Sequence, residues 1–167
     1  MEKNRTEKTT FHIRKGDEND AELVVTFMRK LGTYQKMRDS ITITEESARR
    51  LLREKAGEVI FGEADGKTVA FLYYYNNSSA FIGEKGMYID GFYVDEEYRG
   101  AGLGRQMMAY MANLALERGC GRLEWGCLDW NQPALNFYKN LGAKGVDTMT
   151  IYRLSPDKIR ELADRNV

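Results

Sequence analysis

The sequence predicts an α/β (α+β) protein in which a central mixed sheet carries helices on both faces. Strand-like runs come first as a hairpin and later alternate with helix-like runs. The chain has 167 residues, which is the usual size of one domain with one core. Because no Pro- or Ser-rich linker divides the chain, we expect a single domain.

The first elements are predicted to be a strand and two helices. Residues 9–14 are β-rich, and residues 19–38 carry apolar side chains at near-helical spacing. Thr44 is the expected N-cap of the second helix, because a threonine hydroxyl can accept a hydrogen bond from a first-turn amide. That helix is predicted to end near Ala56.

A β-hairpin is predicted next, because the β-rich runs 58–64 and 67–77 flank Asp65-Gly66. Asp-Gly between two such runs is a strong hairpin signal. The remaining predicted elements are a strand at 86–95, a helix from Leu103 to Arg118, a strand at 121–128, a helix from Asn131 to Leu141, a strand at 148–154 and a last helix capped by Ser155.

Composition limits the kind of protein. The 25 Lys and Arg balance the 25 Asp and Glu, whereas nucleic-acid-binding proteins usually carry a basic excess, so no nucleic acid partner is expected. No apolar run approaches the roughly 18 residues of a membrane helix. The polar start lacks the apolar core of a signal peptide. We therefore expect a cytoplasmic protein without a membrane partner, with a disordered tail at 1–8 and a domain at 9–167.

Few residues are available for metal binding or histidine chemistry. His12 is the single histidine, which argues against a histidine zinc site and a Ser-His-Asp triad. Cys120 and Cys127 form no CxxC pair, and two such thiols are most often buried and reduced in an intracellular chain. No metal is expected, and catalysis would use carboxylates, tyrosines, lysines or water.

The sharpest feature is the run YRGAGLG at 98–104, between a predicted strand and a predicted helix. Its alternating glycines permit backbone angles that other residues disfavour and let a ligand approach the main chain closely. The first N–H groups of a helix lack internal partners and carry partial positive charge. The glycine turn and the helix start together predict a phosphate-binding loop.

Two other phosphate-binding motifs fit this loop less well. A P-loop ends in Gly-Lys-Ser/Thr, whereas Arg105-Gln106 follows Gly104. A dinucleotide fingerprint has the spacing G-x-G-x-x-G, and Arg105 stands where its last glycine belongs.

The loop and a second run resemble the two signature motifs of the GNAT N-acetyltransferase family. Arg99, Gly102 and Gly104 match motif A, Gln/Arg-x-x-Gly-x-Gly/Ala, and the run WNQPALNFY at 130–138 resembles motif B. The chain is more similar to the branch of diamine (spermidine/spermine) and thialysine acetyltransferases, in the runs 31–37, 73–75 and 92–104.

This resemblance implies a fold, a co-substrate and a set of binding residues. It implies the GNAT fold, with a mostly antiparallel twisted sheet, and a homodimer. It also implies acetyl-coenzyme A as co-substrate, with motif A on the pyrophosphate and main-chain groups at 92–94 along the pantetheine arm like an added strand. A backbone N–H there could polarise the thioester carbonyl. The implied cofactor-binding residues are Phe92, Tyr93, Val94, Arg99, Gly100, Ala101, Gly102, Leu103, Gly104, Arg105, Asn131 and Ala134.

Two side chains are the candidates for catalysis. An alkyl amine, with a pKa near ~10.4, is mostly protonated at neutral pH and must lose a proton before it can react. Asp90 could remove that proton through water, or it could bind the amine without moving a proton. Strand alternation predicts a face shared by Tyr88, Asp90, Phe92 and Val94. By resemblance, Tyr138 is the general acid that protonates the sulfur of coenzyme A.

The substrate is expected to be a small-molecule primary amine: a polyamine, a diamine or a thialysine-like amino acid. The candidate substrate-binding residues are Tyr34, Gln35, Asp90, Glu124 and Trp125. The related diamine enzymes have two further acids, where this chain has Gly91 and Gln35. Because a polyamine site needs several carboxylates, their absence favours a smaller or less charged amine.

Two other functions remain open. A non-catalytic module that binds acetyl-coenzyme A and regulates a partner would not need an acid at Tyr138, so this tyrosine favours an enzyme. An acetyltransferase of protein lysines or N-termini is the third alternative, and the zero net charge does not exclude it.

Overall fold

The computed structural model describes residues 10–146 and 148–164, which divide into two compact units. The first unit extends to Trp130 and contains the sheet, and the second begins at Asn131. The predicted tail at 1–8 lies outside the described residues. The boundaries of the domain stay a prediction.

A mixed sheet forms the centre of the first unit. Its strands are β1 Phe11–Lys15, β2 Glu58–Ala64, β3 Lys67–Ser79, β4 Glu84–Val94 and β5 Cys120–Trp125, in the order β1-β2-β3-β4-β5. The pairs β1–β2, β2–β3 and β3–β4 are antiparallel, and β4–β5 is parallel. The mixed, mostly antiparallel sheet that the sequence predicts is therefore confirmed.

Helices cover both faces of this sheet. The helices of the first unit are α1 Ala21–Tyr34, α2 Glu45–Arg53 and α3 Leu103–Glu117. Phe27 of α1 stacks on Phe71 of β3 with the ring centroids 5.3 Å apart. On the opposite face, a Cβ added at Gly62 would lie 3.2 Å from the side chain of Leu103 in α3. The predicted two-sided arrangement is confirmed.

Local chemistry explains where several of these elements begin. The hydroxyl of Thr44 accepts a hydrogen bond from the Ser47 amide at 3.1 Å, and Ser47 Oγ accepts one from the Thr44 amide at 3.0 Å. This reciprocal capping box starts α2, as predicted. Asp65 and Gly66 have φ values of 51° and 73°, as the tight turn between β2 and β3 requires.

The second unit holds α4 Gln132–Asn140 and α5 Pro156–Asp164. Asn131 caps α4, because its Oδ1 accepts a hydrogen bond from the Ala134 amide at 3.4 Å. The predicted strand at 148–154 is wrong, since these described residues form neither strand nor helix. The run is β-rich, but a strand also needs a neighbour with which to pair, and β-propensity alone does not provide one. In the described ranges, no helix is both long enough and apolar enough to cross a membrane.

Candidate active site

The loop between β4 and α3 has the backbone that its glycines allow. Gly100 and Gly102 have φ values of 77° and 89°, in the left-handed region. A Cβ at either glycine would meet no atom within 4 Å, so backbone freedom rather than close packing explains the residue type. Gly102 is the N-cap of α3 and has no side chain with which to cap it. The first amides of α3 thus receive no hydrogen bond from a side chain at the N-cap position, which is what the predicted phosphate site requires.

Arg99 connects the start of this loop to the end of α1. Its Nε donates a hydrogen bond to the carbonyl oxygen of Val94 at 2.8 Å. Its guanidinium carbon lies 4.8 Å from the ring centroid of Tyr34 and 5.1 Å from that of Tyr93, within the range of cation–π attraction. A predicted substrate residue, Tyr34, thus lies beside two predicted cofactor residues.

A second contact ties α1 to the same region. Lys30 Nζ lies 2.7 Å from Asp95 Oδ1, directly after β4. Gln35, the other candidate substrate residue on this segment, is the C-cap of α1, and its amide donates to the carbonyl oxygen of Leu31 at 2.8 Å. The end of α1 is therefore held close to the end of β4.

A β-bulge interrupts β4 at Asp90. Tyr73 pairs with Gly91 while Tyr74 pairs with Ile89, so Asp90 is the extra residue between them. Bulges redirect side chains and are frequent next to active sites. The bulge therefore sets the direction of the Asp90 carboxylate, and the regular alternation of a strand does not predict that direction.

The bulge changes which residues of β4 lie on the same face of the sheet. Tyr93 points toward α1, where its ring centroid lies 6.5 Å from that of Phe27. Phe92 and Val94 pair with residues of β3 on the α3 side, because Val94 pairs with Ala70 and a Cβ at Gly62 would lie 3.2 Å from the Ala70 side chain. The prediction that Asp90 shares a face with Phe92 and Val94 is therefore wrong, because one extra residue reverses the alternation after it.

Three tyrosines lie close enough to Asp90 for its charge to act on them, and we call the four residues the tyrosine–aspartate cluster: Tyr73, Tyr75, Tyr88 and Asp90. The rings of Tyr75 and Tyr88 stack with centroids 5.3 Å apart. Burial raises the pKa of all three phenols above the ordinary value, and the charge of Asp90 raises each pKa further. The phenols therefore stay neutral near pH 7 beside an exposed carboxylate, with the Tyr73 hydroxyl next to Gly57 and the Tyr88 hydroxyl next to Gly126.

The structure brings Glu124 to the cluster but not Trp125. Glu124 pairs with Tyr88 across the β4–β5 ladder, and its charge also raises the pKa of Tyr88, after the larger effects of burial and Asp90. Trp125 pairs with Ile89 and so points to the opposite face of the sheet. Of the two neighbouring candidates on β5, only Glu124 shares the face of the cluster.

The β4–β5 ladder ends before β4 does. The last pair is Ile89 with Trp125, whereas β4 continues to Val94 alongside β3. The predicted pantetheine stretch at 92–94 thus lies on the part of β4 that has passed the end of β5. A strand edge of this kind is the geometry that an extended ligand arm can follow.

The second unit holds the predicted general acid. Tyr138 lies on α4, seven residues after the cap Asn131, and its ring centroid lies 5.3 Å from that of Phe137. Tyr138 therefore lies within α4, and Asn131 lies directly before the helix as its N-cap. The catalytic role of Tyr138 and the cofactor roles of Asn131 and Ala134 stay predictions.

Sequence reasoning missed Arg122, which lies on the same face of β5 as Glu124. Its Nε lies 3.0 Å from Glu124 Oε2. The signal was the i, i+2 spacing of an arginine and a glutamate on a predicted strand, which places both on one face. Among the described residues, no group of three or more His, Cys, Asp or Glu side chains could hold a metal ion.

Several proteins that are similar to this chain in sequence are named acetyltransferases. The family model of the acetyltransferase (GNAT) family matches residues 24–143. A thialysine N-epsilon-acetyltransferase of Bos taurus is 32% identical over 92% of this chain and 97% of that protein. An L-ornithine N5-acetyltransferase of Arabidopsis thaliana is 28% identical over 76% of this chain and 53% of that protein.

A solved structure is similar to this chain over most of its length. An integron cassette protein from the mobile metagenome of V. cholerae is 25% identical with a TM-score of 0.74, over 92% of this chain and 98% of that one. The family match covers well over half of the chain and includes both the glycine loop and α4. The chain therefore belongs to the acetyltransferase (GNAT) family and is, like its members, an N-acetyltransferase that takes its acyl group from an acyl-coenzyme A.

Proposed function

We propose that this enzyme transfers an acetyl group from acetyl-coenzyme A to a primary amine of a small molecule: a polyamine, a diamine or a thialysine-like amino acid. The observation that carries the proposal is the bulge of β4 at Asp90, whose carboxylate lies near three neutral tyrosines. A carboxylate with aromatic rings nearby is suited to an alkyl ammonium group. The small amines in the names of the relatives support this substrate class.

The cofactor side of the proposal depends on the loop and on the end of β4. The left-handed glycines Gly100 and Gly102 and the uncapped start of α3 suit the diphosphate. Main-chain groups of 92–94 would hold the pantetheine arm, and a backbone N–H there would polarise the thioester carbonyl. These roles place the reacting carbonyl close to the bulge on the same strand.

Asp90 binds the ammonium form of the substrate and takes its proton through water. The neutral nitrogen then attacks the carbonyl carbon of the thioester, and the bond between carbon and sulfur breaks. A general base of this kind typically contributes ~10²–10⁴-fold to the rate. The phenols of Tyr73, Tyr75 and Tyr88 keep their protons, because burial and the charge of Asp90 both disfavour the phenolate.

Tyr138 acts as the general acid in this proposal. The departing thiolate of coenzyme A needs a proton, and a phenol with a pKa near ~10 can supply it. The assignment rests on the resemblance of 130–138 to motif B and on the capped helix that carries the residue. The attacking nitrogen loses a second proton as the amide forms, and this proton restores the Tyr138 phenol through water. The proton that Asp90 took first is released to solvent, so the products are the amide, the free thiol and one proton.

The same resemblance leads us to propose a homodimer in the cytoplasm. The described residues 148–154 carry large apolar side chains that are mostly exposed, and a self-association surface would bury them. The oligomeric state is independent of the chemistry above and is tested separately.

A mass-spectrometric screen of amines with acetyl-coenzyme A tests the proposed function. The panel contains ornithine, thialysine, putrescine and spermidine, together with a lysine peptide and a peptide with a free N-terminus. Acetylation of a small amine, with the Asp90→Asn variant at least tenfold slower, is the expected result. Preferential acetylation of a peptide, or tight binding of acetyl-coenzyme A with no acetylated product, would contradict it.

A further inference from the structure

A row of charged side chains runs along one face of the sheet, starting at Asp90 and leading away from the phosphate loop. Glu124 is level with Tyr88, two residues before Asp90, and Arg122 is level with Gly86, two residues earlier again. We call Asp90, Glu124 and Arg122 the polar row. From the end of β4 toward its start, the predicted cofactor stretch comes first, and the levels of Asp90, Glu124 and Arg122 follow in that order.

Contacts around Gly86 show that Arg122 lies on this face. A Cβ added at Gly86 would be 3.2 Å from Arg122 Cγ and 2.5 Å from Asn77 Oδ1. Asn77 is two residues beyond Tyr75 on β3, so it shares the face of the tyrosine–aspartate cluster. The absence of a side chain at Gly86 leaves the space across which Arg122 extends.

The hydrogen-bonding capacity of Arg122 is only partly used by the protein. Its Nε lies 3.0 Å from Glu124 Oε2, but this contact is an ion pair without hydrogen-bond geometry. Within the described residues, Arg122 Nε and the neighbouring Asn77 Oδ1 are the buried side-chain polar atoms that have no hydrogen-bond partner. Arg122 Nε itself is buried, but both charged side chains are about a third exposed, at 36% and 37%, so a ligand can reach their exposed parts.

An arginine beside a glutamate presents complementary charges to a zwitterion. The guanidinium offers a planar fork of donors that matches a carboxylate, and the glutamate accepts hydrogen bonds from an ammonium group. A polyamine carries only positive charge and would be repelled by the arginine. The pair therefore favours an α-amino acid over a diamine or polyamine.

We propose that Arg122 binds the α-carboxylate and Glu124 the α-ammonium of a basic amino acid whose side-chain amine lies at Asp90. This inference rests on the proposed function and names the substrate class of the same site. Arg122 and Glu124 are specificity-determining residues in it, and the reacting nitrogen is the terminal amine of the side chain.

The spacing along the sheet fits such a substrate. Two residues of a strand span about 6–7 Å, which sets the separation between the levels of Asp90 and Glu124. The two amino groups of ornithine are joined through four carbons, which reach about 6 Å when extended with bonds of ~1.5 Å. The α-carboxylate then projects toward the next level of the row, where Arg122 lies.

Ornithine and putrescine provide the test, because they differ by the α-carboxylate alone. We expect the native enzyme to have the higher kcat/KM for ornithine. Arg122→Gln should lower the ratio of the two kcat/KM values about 10–100-fold, as expected for the loss of a charged hydrogen bond. Arg122→Lys, which keeps the charge without the fork, should give an intermediate ratio. Lys85→Gln, on the adjacent strand, is the control and should leave the ratio unchanged.

Calorimetric titration of ornithine provides a readout that needs no turnover. Arg122→Gln should weaken ornithine binding at least tenfold. A native enzyme that prefers putrescine, or an Arg122→Gln variant with an unchanged ratio, would overturn the inference while leaving the proposed function intact. If no amine is acetylated, the proposed function fails. The inference then stands only if ornithine still binds and Arg122→Gln weakens that binding, and it falls otherwise.

Discussion

At the scale of the residue, the positive φ of Gly102 provides a test of the predicted phosphate loop. Gly102 has a φ of 89°, and a β-branched residue is strongly disfavoured there. Gly102→Val should therefore distort the start of α3 and raise the Kd for coenzyme A at least tenfold, measured by calorimetry.

Gly119 provides the matched control for this change. It has a φ of 68° after the end of α3, and a Cβ there would also meet no atom within 4 Å. Gly119→Val should cost a similar amount of stability in a thermal melt without changing the affinity for coenzyme A. Equal losses of affinity in both variants would show that the diphosphate does not bind at this loop.

Tyr138→Phe tests the general acid. Removal of the hydroxyl should lower kcat by roughly 10²–10⁴-fold with little change in KM, because the phenol acts on the leaving thiolate and not on the amine. Tyr110→Phe, on α3, removes another half-buried hydroxyl and should leave kcat nearly normal. Stopped-flow detection of free thiol measures both variants, and near-normal turnover of Tyr138→Phe would remove the residue from this role.

The variant Asp90→Asn tests whether Asp90 acts as a general base or only binds the amine. The amide keeps the shape of the side chain but cannot take a proton, so a base predicts a fall in kcat of at least about 100-fold. An anchor that moves no proton predicts a rise in KM with kcat largely preserved. Steady-state kinetics over a range of amine concentrations distinguishes the two results.

At the scale of the element, an ion pair joins the start of β2 to the end of α3. Glu58 accepts hydrogen bonds from both terminal nitrogens of Arg118, at 2.6 Å and 2.7 Å. These bonds are the main reason that the pKa of Glu58 lies below its ordinary value. The carboxylate therefore stabilises the fold at pH values above its unfolded-state pKa, and this stability is lost as pH falls through the folded-state pKa.

Glu58→Gln should lower the free energy of unfolding by about 1–2 kcal/mol at pH 7. Because the glutamine does not titrate, the difference from the native chain should shrink as the pH falls from 5 to 3. Glu45→Gln, which removes an exposed helical pair with Arg49, should cost about 0.5 kcal/mol or less. Urea denaturation at several pH values measures all three proteins, and a difference independent of pH would contradict the linkage.

Elements specified by local chemistry could be predicted from the sequence. The hairpin at Asp65-Gly66, the cap at Thr44 and the glycine turn before α3 depend on a few neighbouring residues, and the structure confirms them. The strand predicted at 148–154 failed because strand formation depends on a pairing partner elsewhere, which the run itself does not encode.

The parts of the site that depend on long-range register could not be predicted. The bulge at Asp90 arises from how β3 and β4 align over their length, and it reverses the faces of Phe92 and Val94. The position of Arg99 against Tyr34 likewise requires α1 to pack beside the end of β4. The candidate site residues could be chosen from the sequence, but the sequence did not show which of them lie on the same surface.

At the scale of the whole molecule, the sequence resemblance and one exposed segment both lead to self-association. Ile151 and Tyr152 are 82% and 92% exposed, and Met149 and Leu154 are also exposed. A run of large apolar side chains in contact with solvent is unusual unless another surface covers it. A β-rich run without a strand partner in the described residues is also suited to pairing with a second copy of the chain.

We therefore predict that the protein is a homodimer in sedimentation velocity experiments at micromolar concentration. Replacing Ile151 and Tyr152 together by aspartate should shift it toward the monomer, because burying two carboxylates in an apolar interface is costly. Leu116→Asp introduces a charge at another exposed apolar position, 75% exposed on α3, and should leave the dimer intact. A monomeric native protein would exclude the predicted assembly, and a double variant that remains dimeric would place the interface elsewhere on the surface.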